Sequence, residues 1–229
     1  MRICVVIPAY QEARAIDQVV QITQQYCSTV IVVDDGSTDN TGDIAQKSGA
    51  IVLRHATNQG KGAALRTGFN FALKHQCEII VTLDGDLQHN PHSIPHFLDR
   101  IKQGHDVVVG SRHATQSEEM PFARKLSNLI TTQALRVLFK VPVTDSQSGY
   151  RAFKRRVLEV VKVRDNGFSA ETEILIDAQR AGFSIAEVSI ATNYGEEESK
   201  IRAHRDITRW LITLGRNLFY RPRFLSQKE

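Results

Sequence analysis

The chain has 229 residues, of which 41% are apolar and 24% are charged, and its net charge is +4. This length can enclose one sizeable hydrophobic core. The sequence has no apolar run of about 18 residues that would cross a bilayer, and its first residues lack the charged and cleavage regions of a secretory signal. We therefore expect a cytoplasmic α/β protein without a membrane span of its own.

The basic residues are concentrated at the C-terminal end. Residues 200–229 contain eight Lys or Arg and two acidic residues, a net of +6, so residues 1–199 carry −2. This distribution predicts an anionic partner at that end and excludes a protein covered with nucleic-acid-binding charge. The three cysteines are odd in number and widely spaced, so we expect Cys4, Cys27 and Cys77 to be reduced thiols in the core.

Strand-forming runs alternate with segments of helical length up to residue 112, after which the alternation becomes irregular. Continuous Val/Ile runs separated by helices are typical of a mostly parallel sheet with helices on both faces. Such sheets bind ligands at the carboxyl ends of their strands. The predicted strands are Ile3–Ile7, Thr29–Val33, Ile51–Leu53, Glu78–Leu83, Asp106–Val109, Ser148–Phe153 and Ser184–Ile190, and the predicted helices are 12–26, 39–48, 62–75, 93–103, 121–140 and 170–181.

Two carboxylates and an amide follow the fourth predicted strand in Asp84-Gly85-Asp86-Leu87-Gln88. Oxygen ligands on alternate residues suit Mg²⁺ or Mn²⁺, which keeps few protein ligands and takes the others from phosphate and water. A solvated acidic turn is the other interpretation of so short a pattern.

Polar residues also follow the other strands of the predicted sheet. Asp34 and Asp35 come after the second strand, and we interpret the nearby Asp39 as a helix cap. The segment 58–62 lacks Walker A spacing, although it brings Lys61 and backbone amides to a position suited to a diphosphate. We expect the histidines to lie on the surface or at caps, because their spacing fits no zinc site.

Six motifs stand in one order along the chain: Ile7-Pro8-Ala9-Tyr10-Gln11-Glu12, Val33-Asp34-Asp35-Gly36-Ser37-Thr38-Asp39, Asn58-Gln59-Gly60-Lys61-Gly62, Asp84-Gly85-Asp86-Leu87-Gln88, Gly110-Ser111-Arg112, and Asp145 with Ser148-Gly149-Tyr150-Arg151. In this combination the chain resembles the family 2 glycosyltransferases, and most closely the dolichyl-phosphate and polyprenyl-phosphate mannose or glucose synthases. The resemblance implies a GT-A fold, with a single Rossmann-like sheet. It also implies a nucleotide-sugar donor, GDP-mannose or UDP-glucose, and an inverting, metal-dependent transfer of a hexose to a polyprenyl or dolichyl phosphate.

The resemblance also implies roles for individual residues. Asp86 and Gln88 resemble the ligands of Mg²⁺ or Mn²⁺, and Asp86 and Arg112 would act on the leaving diphosphate. Near Lys200 the sequence departs from the subgroup, because Tyr194 and Glu197 stand where it usually has arginine and glycine. The implied substrate-binding residues are Pro8, Tyr10, Glu12, Val33, Asp35, Lys61, Asp84, Gly85, Asp86, Arg112, Arg124 and Lys200.

The need for a general base depends on the acceptor. A phosphate monoester has a second pKa of about 6, so its attacking oxygen is already anionic at neutral pH. A saccharide hydroxyl, the alternative acceptor, needs a carboxylate base, and Glu173 or Glu171 is the candidate. Both can equally be first-turn helix acids favoured by the helix dipole. A non-catalytic nucleotide-sugar-binding protein is the alternative from another class.

The chain divides into a GT-A domain at 1–200 and a basic amphipathic tail at 201–229. Apolar residues in the tail recur at helical spacing, which is typical of an interfacial membrane helix. A helix docked on the domain, with solvated arginines, is the other interpretation. We expect peripheral association with the cytoplasmic face of a membrane and no nucleic-acid partner, and a further candidate partner is an integral-membrane protein.

Overall fold

The computed structural model describes residues 1–112, 122–191 and 203–219, with side chains described from Leu126 and from Trp210 in the two helices that follow the gaps. The described strands are β1 (Ile3–Ala9), β2 (Thr29–Asp34), β3 (Ile51–Arg54), β4 (Ile79–Thr82), β5 (Val107–Ser111), β6 (Arg151–Lys154) and β7 (Ile185–Ser189). The described α-helices are α1 (Ile16–Gln24), α2 (Thr41–Lys47), α3 (Lys61–Lys74), α4 (Ile94–Lys102), α5 (Phe122–Phe139), α6 (Arg155–Val160), α7 (Ser169–Arg180) and α8 (Ala203–Phe219).

The strands form one sheet in the order β3-β2-β1-β4-β6-β5-β7. Strand β6 runs antiparallel to β4 and β5, and the other neighbouring strands are parallel. The predicted single, mostly parallel sheet is therefore confirmed. The sequence does not predict α6, because its six residues directly follow β6 and are too few to show a helical period.

Helices cover both faces of the sheet. On β1, Cys4 and Val6 belong to one core cluster and Val5 and Ile7 to the other, and all four are fully buried. Helices α3, α5, α7 and α8 pack in the first cluster, and α1 and α4 pack in the second. Burial of each such aliphatic side chain contributes about 1.5–3 kcal/mol, so the central strands are a firm support for the residues at their ends. In the described ranges, no helix is long and apolar enough to cross a membrane.

Cys4 and Cys77 form a disulfide, with their Cα atoms 5.9 Å apart, so the prediction that both are reduced thiols is wrong. The two residues are separated by 73 positions, but Cys4 lies on β1 and Cys77 comes just before its neighbour β4. Sequence spacing alone does not reveal this proximity, which the pairing of the strands creates. Cys27 is a buried thiol as predicted, and burial raises its pKa to about 11.

The strand pairing opens a crevice at the carboxyl edge of the sheet. Strands β1 and β2 pair as far as Ala9 and Asp34, whereas β1 and β4 pair only as far as Val6 and Thr82. Residues 83–88 therefore leave the sheet before β1 ends. The strand order reverses direction between β1 and β4, and this is where open α/β sheets bind their ligands.

Candidate active site

A lysine and two carboxylates meet at the edge of this crevice. Lys61, the first residue of α3, places its Nζ 2.6 Å from Asp84 Oδ1 and 2.9 Å from Glu171 Oε1. We call these three residues the Lys61 cluster. Gly149 lies directly against it, because a Cβ at that position would stand 2.8 Å from Lys61 Nζ and 2.9 Å from Glu171 Oε1. The cluster thus joins α3, the segment after β4 and the start of α7.

The charges of the Lys61 cluster support one another. Burial would lower the pKa of Lys61, but the charges of Asp84 and Glu171 raise it above its ordinary value. Burial would likewise raise the pKa of Asp84, but Lys61 holds it below its ordinary value. Lys61 therefore stays a cation and Asp84 an anion across the physiological pH range.

A second ion pair holds the arginine at the end of β5. Arg112 donates from Nε to Asp145 Oδ2 at 2.6 Å and from Nη2 to Asp145 Oδ1 at 2.8 Å. Asn128 of α5 donates to the same carboxylate at 3.0 Å. Burial would raise the pKa of the fully buried Asp145, but its bonds to Arg112 lower it. The two-pronged contact fixes the plane of the guanidinium.

The segment proposed to hold a metal ion lies in a tight turn. The backbone N–H of Gln88 donates to Asp86 Oδ1 at 3.0 Å, and Leu87 between them has a φ of +60°. Among the described residues, no group of three or more His, Cys, Asp or Glu side chains could hold a metal ion. The hard oxygen donors of Asp86 and Gln88 fit Mg²⁺ or Mn²⁺ with two protein ligands, the remaining ligands coming from phosphate and water.

His89 is buried beside this turn, so its predicted place at the surface or a cap is wrong. Its side chain contacts the ring of Tyr150, and its Nδ1 lies 3.6 Å from Asp84 Oδ2. Within the described structure this nitrogen has no hydrogen-bond partner. Burial lowers the pKa of His89 to about 4, so the ring is neutral at neutral pH. Because the neighbouring residues in the sequence are polar, the sequence does not indicate that His89 is buried.

His55 is partly buried, in contact with Asp35. The Asp35 carboxylate lies 2.6 Å from His55 Nδ1 and accepts hydrogen bonds from the backbone N–H groups of Gln59 at 3.0 Å and Gly60 at 2.7 Å. These contacts fix the loop that delivers Lys61 to the cluster. Gly60 itself has a φ of +101°, and a Cβ there would lie 2.3 Å from the carbonyl oxygen of Asn166.

The segments that follow β1 and β2 are joined by side-chain hydrogen bonds. The backbone N–H of Glu12 donates to Thr41 Oγ1 at 2.8 Å. Asp39, the predicted cap, accepts from the N–H of Thr41 at 3.0 Å, but the N-cap residue of α2 is Asn40. Tyr10 lies beside this network with its ring partly exposed. Tyr10 and Glu12 are thereby held at the rim of the crevice.

The two candidate bases on α7 face different surroundings. Glu171 contacts Lys61, whereas Glu173 is fully buried and accepts hydrogen bonds from the N–H groups of Arg164 at 2.9 Å and Asp165 at 2.8 Å. Glu173 also forms an ion pair with Arg216 of α8. The geometry therefore brings Glu171, and not Glu173, to the site.

The structure brings most of the remaining predicted residues to the same edge. Pro8 lies near the end of β1. A Cβ at Gly85 would lie 3.5 Å from the side chains of Ile7 and Glu12. Val33 is fully buried under α3, so only its backbone can face a ligand. The side chain of Arg124 and all of Lys200 lie outside the described residues.

The motif Ser148-Gly149-Tyr150-Arg151 does not indicate where the side chain of Arg151 lies. It is fully buried, and it donates to the carbonyl oxygens of Ser146 at 2.9 Å, Ser148 at 2.9 Å and Glu171 at 2.6 Å. One guanidinium thus ties the segment after Asp145 to the first turn of α7. It sets the positions of Gly149 and Glu171 relative to each other.

Comparison with known proteins agrees with this architecture. Residues 4–162 match the model of the glycosyl transferase family 2. This chain belongs to glycosyltransferase family 2. It is 34% identical to the UDP-N-acetylglucosamine–dolichyl-phosphate N-acetylglucosaminyltransferase of Methanococcus voltae, over 96% of this chain and 94% of the other. It is 31% identical to the polyprenol monophosphomannose synthase of Mycolicibacterium smegmatis, over 82% of this chain and 76% of the other.

Solved structures share the fold of this glycosyltransferase. Glucosyl-3-phosphoglycerate synthase from Mycobacterium tuberculosis, in complex with Mn²⁺, UDP and phosphoglyceric acid, superposes with a TM-score of 0.78 at 22% identity, over 97% of this chain and 80% of the other. The same enzyme has also been solved with Mg²⁺ and UDP, at a TM-score of 0.74. The predicted GT-A fold is confirmed.

Proposed function

We propose that this glycosyltransferase transfers a hexose from a nucleotide sugar to a polyprenyl or dolichyl phosphate. The observation that carries the proposal is the engagement of both candidate bases: Glu171 is bound to Lys61, and Glu173 is fully buried. A hydroxyl acceptor needs a free base, whereas a phosphate acceptor is already anionic at neutral pH. The names of the relatives from Methanococcus voltae and Mycolicibacterium smegmatis, which refer to dolichyl phosphate and polyprenol monophosphate, support the same acceptor.

On the donor side, we propose that Tyr10, Glu12 and the loop held by Asp35 contact the nucleoside of GDP-mannose or UDP-glucose. Asp86 and Gln88 would hold Mg²⁺ or Mn²⁺, which as a Lewis acid would stabilise the leaving nucleoside diphosphate. The cationic groups of this chain that face the same region would add to that stabilisation. Direct attack by the acceptor oxygen would invert the anomeric configuration.

Arg112 is proposed to bind the acceptor phosphate. Its guanidinium is fixed by Asp145, and its charge acts on Asp84, so it lies near the Lys61 cluster. An arginine with a fixed plane is suited to a phosphate because it offers paired N–H donors. Asp145 here is a positioning residue, because it acts only through Arg112.

The proposed place of reaction is the cytoplasmic face of a membrane, where a lipid phosphate would be presented. We keep the division into a domain at 1–200 and a basic tail at 201–229, with an integral-membrane protein as a further candidate partner. Within the tail, Trp210 and Leu214 of α8 pack into the core, so the described part of the tail is docked on the domain.

The test is a transfer assay with labelled GDP-mannose and UDP-glucose, Mn²⁺ and polyprenyl phosphate, followed by extraction into an organic solvent. We expect label from one donor in the organic phase, and its loss with EDTA or in Asp86→Ala. Product that is labelled only in the aqueous phase, on an added saccharide, would assign the enzyme to a hydroxyl acceptor. Full activity of Asp86→Ala would remove the metal role from that residue.

A further inference from the structure

The loop that joins α5 to β6 is held in place by side chains. Residues 140–150 lie outside the helices and strands, and the loop carries Asp145, which fixes Arg112. Backbone N–H groups that leave regular structure need other partners. In this loop four consecutive N–H groups, those of residues 144–147, donate to side-chain oxygens. Their acceptors are Glu187 for Thr144 and Asp145, Thr132 for Ser146, and Asp145 itself for Gln147.

Glu187 on β7 accepts two of these four bonds. Its Oε1 lies 2.8 Å from the backbone N of Thr144 and 3.3 Å from that of Asp145. The hydroxyl of Thr144 also donates to Glu187, with its Oγ1 3.0 Å from Oε2. Among the described residues, the carboxylate accepts hydrogen bonds only from these N–H and O–H groups. Because hydrogen bonds to a carboxylate are stronger than those between neutral groups, Glu187 holds residues 144–145 firmly.

The same loop is joined to the strand that leads to Arg112. Strands β5 and β7 are parallel neighbours, with Glu187 opposite Val109, and Arg112 follows the last residue of β5. The hydroxyl oxygen of Ser111 lies 2.9 Å from that of Thr144. Thr144 therefore connects the end of β5 with the carboxylate of Glu187. Two paired strands thus set the position of the loop relative to Arg112.

The orientation of Arg112 depends on where this loop places Asp145. The Asp145 carboxylate accepts the backbone N–H of Arg112 at 3.2 Å in addition to the two bonds from the guanidinium. Its side chain is also held by Asn128 of α5 at 3.0 Å, whereas its backbone N–H is held by Glu187. A displacement of about 1 Å in a group that positions a substrate can cost about 10²-fold in rate. Movement of residues 144–145 would therefore tilt the guanidinium assigned to the acceptor.

We propose that Glu187 is a positioning residue for the acceptor phosphate. It acts through the loop, because it holds Thr144 and Asp145 where Asp145 can fix the plane of Arg112. The proposal rests on the proposed function, in which Arg112 binds the acceptor phosphate. Loss of Glu187 should therefore weaken the use of the acceptor and leave the use of the donor intact. A merely structural role would lower stability without distinguishing the two substrates.

The first test measures the KM for each substrate with the full-length protein. Glu187→Ala removes the acceptor of the loop N–H groups, and Glu187→Gln keeps one side-chain oxygen for them. Glu159→Ala, which removes an exposed carboxylate paired with Arg155 on α6, is the matched control. With polyprenyl phosphate, we expect Glu187→Ala to raise the KM for the acceptor about tenfold, with kcat and the KM for the donor unchanged. Glu187→Gln and Glu159→Ala should stay close to wild type.

The second test observes Arg112 itself and needs no acceptor. In ¹⁵N-labelled protein, NMR measures the exchange of the Arg112 Nε–H with water, and the signal is assigned by its absence from Arg112→Lys. This N–H donates to the fully buried Asp145 carboxylate, so its exchange should be slow in the wild type. We expect the exchange to be about tenfold faster in Glu187→Ala and nearly unchanged in Glu187→Gln.

The two tests separate this proposal from the proposed function. If the wild type uses a saccharide hydroxyl and no polyprenyl phosphate, the proposed function fails, and faster exchange in Glu187→Ala still supports the positioning of Arg112. Equal exchange rates in Glu187→Ala and the wild type would overturn that positioning. So would a lower kcat with both KM values unchanged, because loss of folded enzyme has this effect. A defect in Glu187→Gln as large as in Glu187→Ala would likewise contradict the role of the loop hydrogen bonds.

Discussion

Two acidic residues near the start of α7 belong to different networks of contacts. Glu171 faces the crevice and contacts Lys61, whereas Glu173 faces α8 and contacts Arg216 and the backbone of 164–165. Two positions along an α-helix correspond to about 200° of rotation, so these side chains point to opposite sides. Identical side chains two residues apart therefore serve the site in one case and the attachment of a helix in the other.

The networks also differ in how completely they are enclosed. The Lys61 cluster lies at the sheet edge, where the Asp84 side chain is 25% exposed and a substrate can approach. The network of Glu173 lies between α7 and α8 and also contains the ion pair of Arg164 with the buried Asp177, at 2.9 Å. Replacements in the first network should change catalysis, and replacements in the second should change stability.

Glu173→Ala is expected to give the largest effect on stability. It removes an enclosed carboxylate and leaves Arg216 and two backbone N–H groups without their partner, which costs about 3–5 kcal/mol in such pairs. The free energy of unfolding is measured by urea titration, with Glu171→Gln as the matched variant. Glu171→Gln should unfold at nearly the wild-type urea concentration and lose activity. If both variants are equally destabilised, the contrast between the two sides of α7 fails.

Acidification should lower the free energy of unfolding because His89 is buried in its neutral form. Its folded-state pKa of about 4 lies below its ordinary value of 6.5, so the unfolded chain binds the extra proton first. The contribution of His89 is therefore complete above pH 6.5 and is lost as the pH falls towards 4, by roughly 3 kcal/mol at most. Urea titrations of wild type and His89→Gln across this range should differ in slope. Parallel pH dependences would show that folding leaves the pKa of His89 unchanged.

Much of the site was predictable because its signals are local. The Asp84–Gln88 segment directly follows the Ile/Val run of β4, and Lys61 follows a glycine at the start of α3. The antiparallel β6, the Cys4–Cys77 disulfide, the contact of His55 with Asp35 and the burial of His89 were not predictable in the same way. They depend on segments far apart in sequence, which only the strand order brings together.

The same distinction applies to Glu171 and Glu173. The sequence places both at the start of one helix, but it does not show which side of that helix another helix will cover. Arg216, which pairs with Glu173, is 43 positions away on α8, and Lys61, which pairs with Glu171, is 110 positions away on α3. The assignment of a base candidate therefore required the packing of α7.

Lys61→Met tests the catalytic side of the comparison. The replacement keeps most of the length of the side chain and removes the cation, so we expect kcat/KM to fall about 10²-fold, as for loss of one fixed electrostatic group. Lys74→Met, at the exposed opposite end of the same helix, is the matched control and should keep wild-type activity. Equal activity of the two variants would mean that the Lys61 cluster is structural only.

Gly149→Ala should give the smallest effect and separate crowding from charge. The added Cβ would stand 2.8 Å from Lys61 Nζ, 2.9 Å from Glu171 Oε1 and 3.0 Å from Asp84 Oδ2, so it must displace the ends of these side chains. Because flexible side-chain ends can move, the expected cost in stability is about 1–2 kcal/mol, near the lower end of the range for overpacking. Activity should fall about tenfold, since all three groups of the cluster shift while their charges remain. Gly104→Ala is the control, because a Cβ there meets no atom within 4 Å, although its φ of +109° strains the backbone. A loss of activity in Gly104→Ala as large as in Gly149→Ala would show that backbone stability, and not the geometry of the cluster, determines the effect.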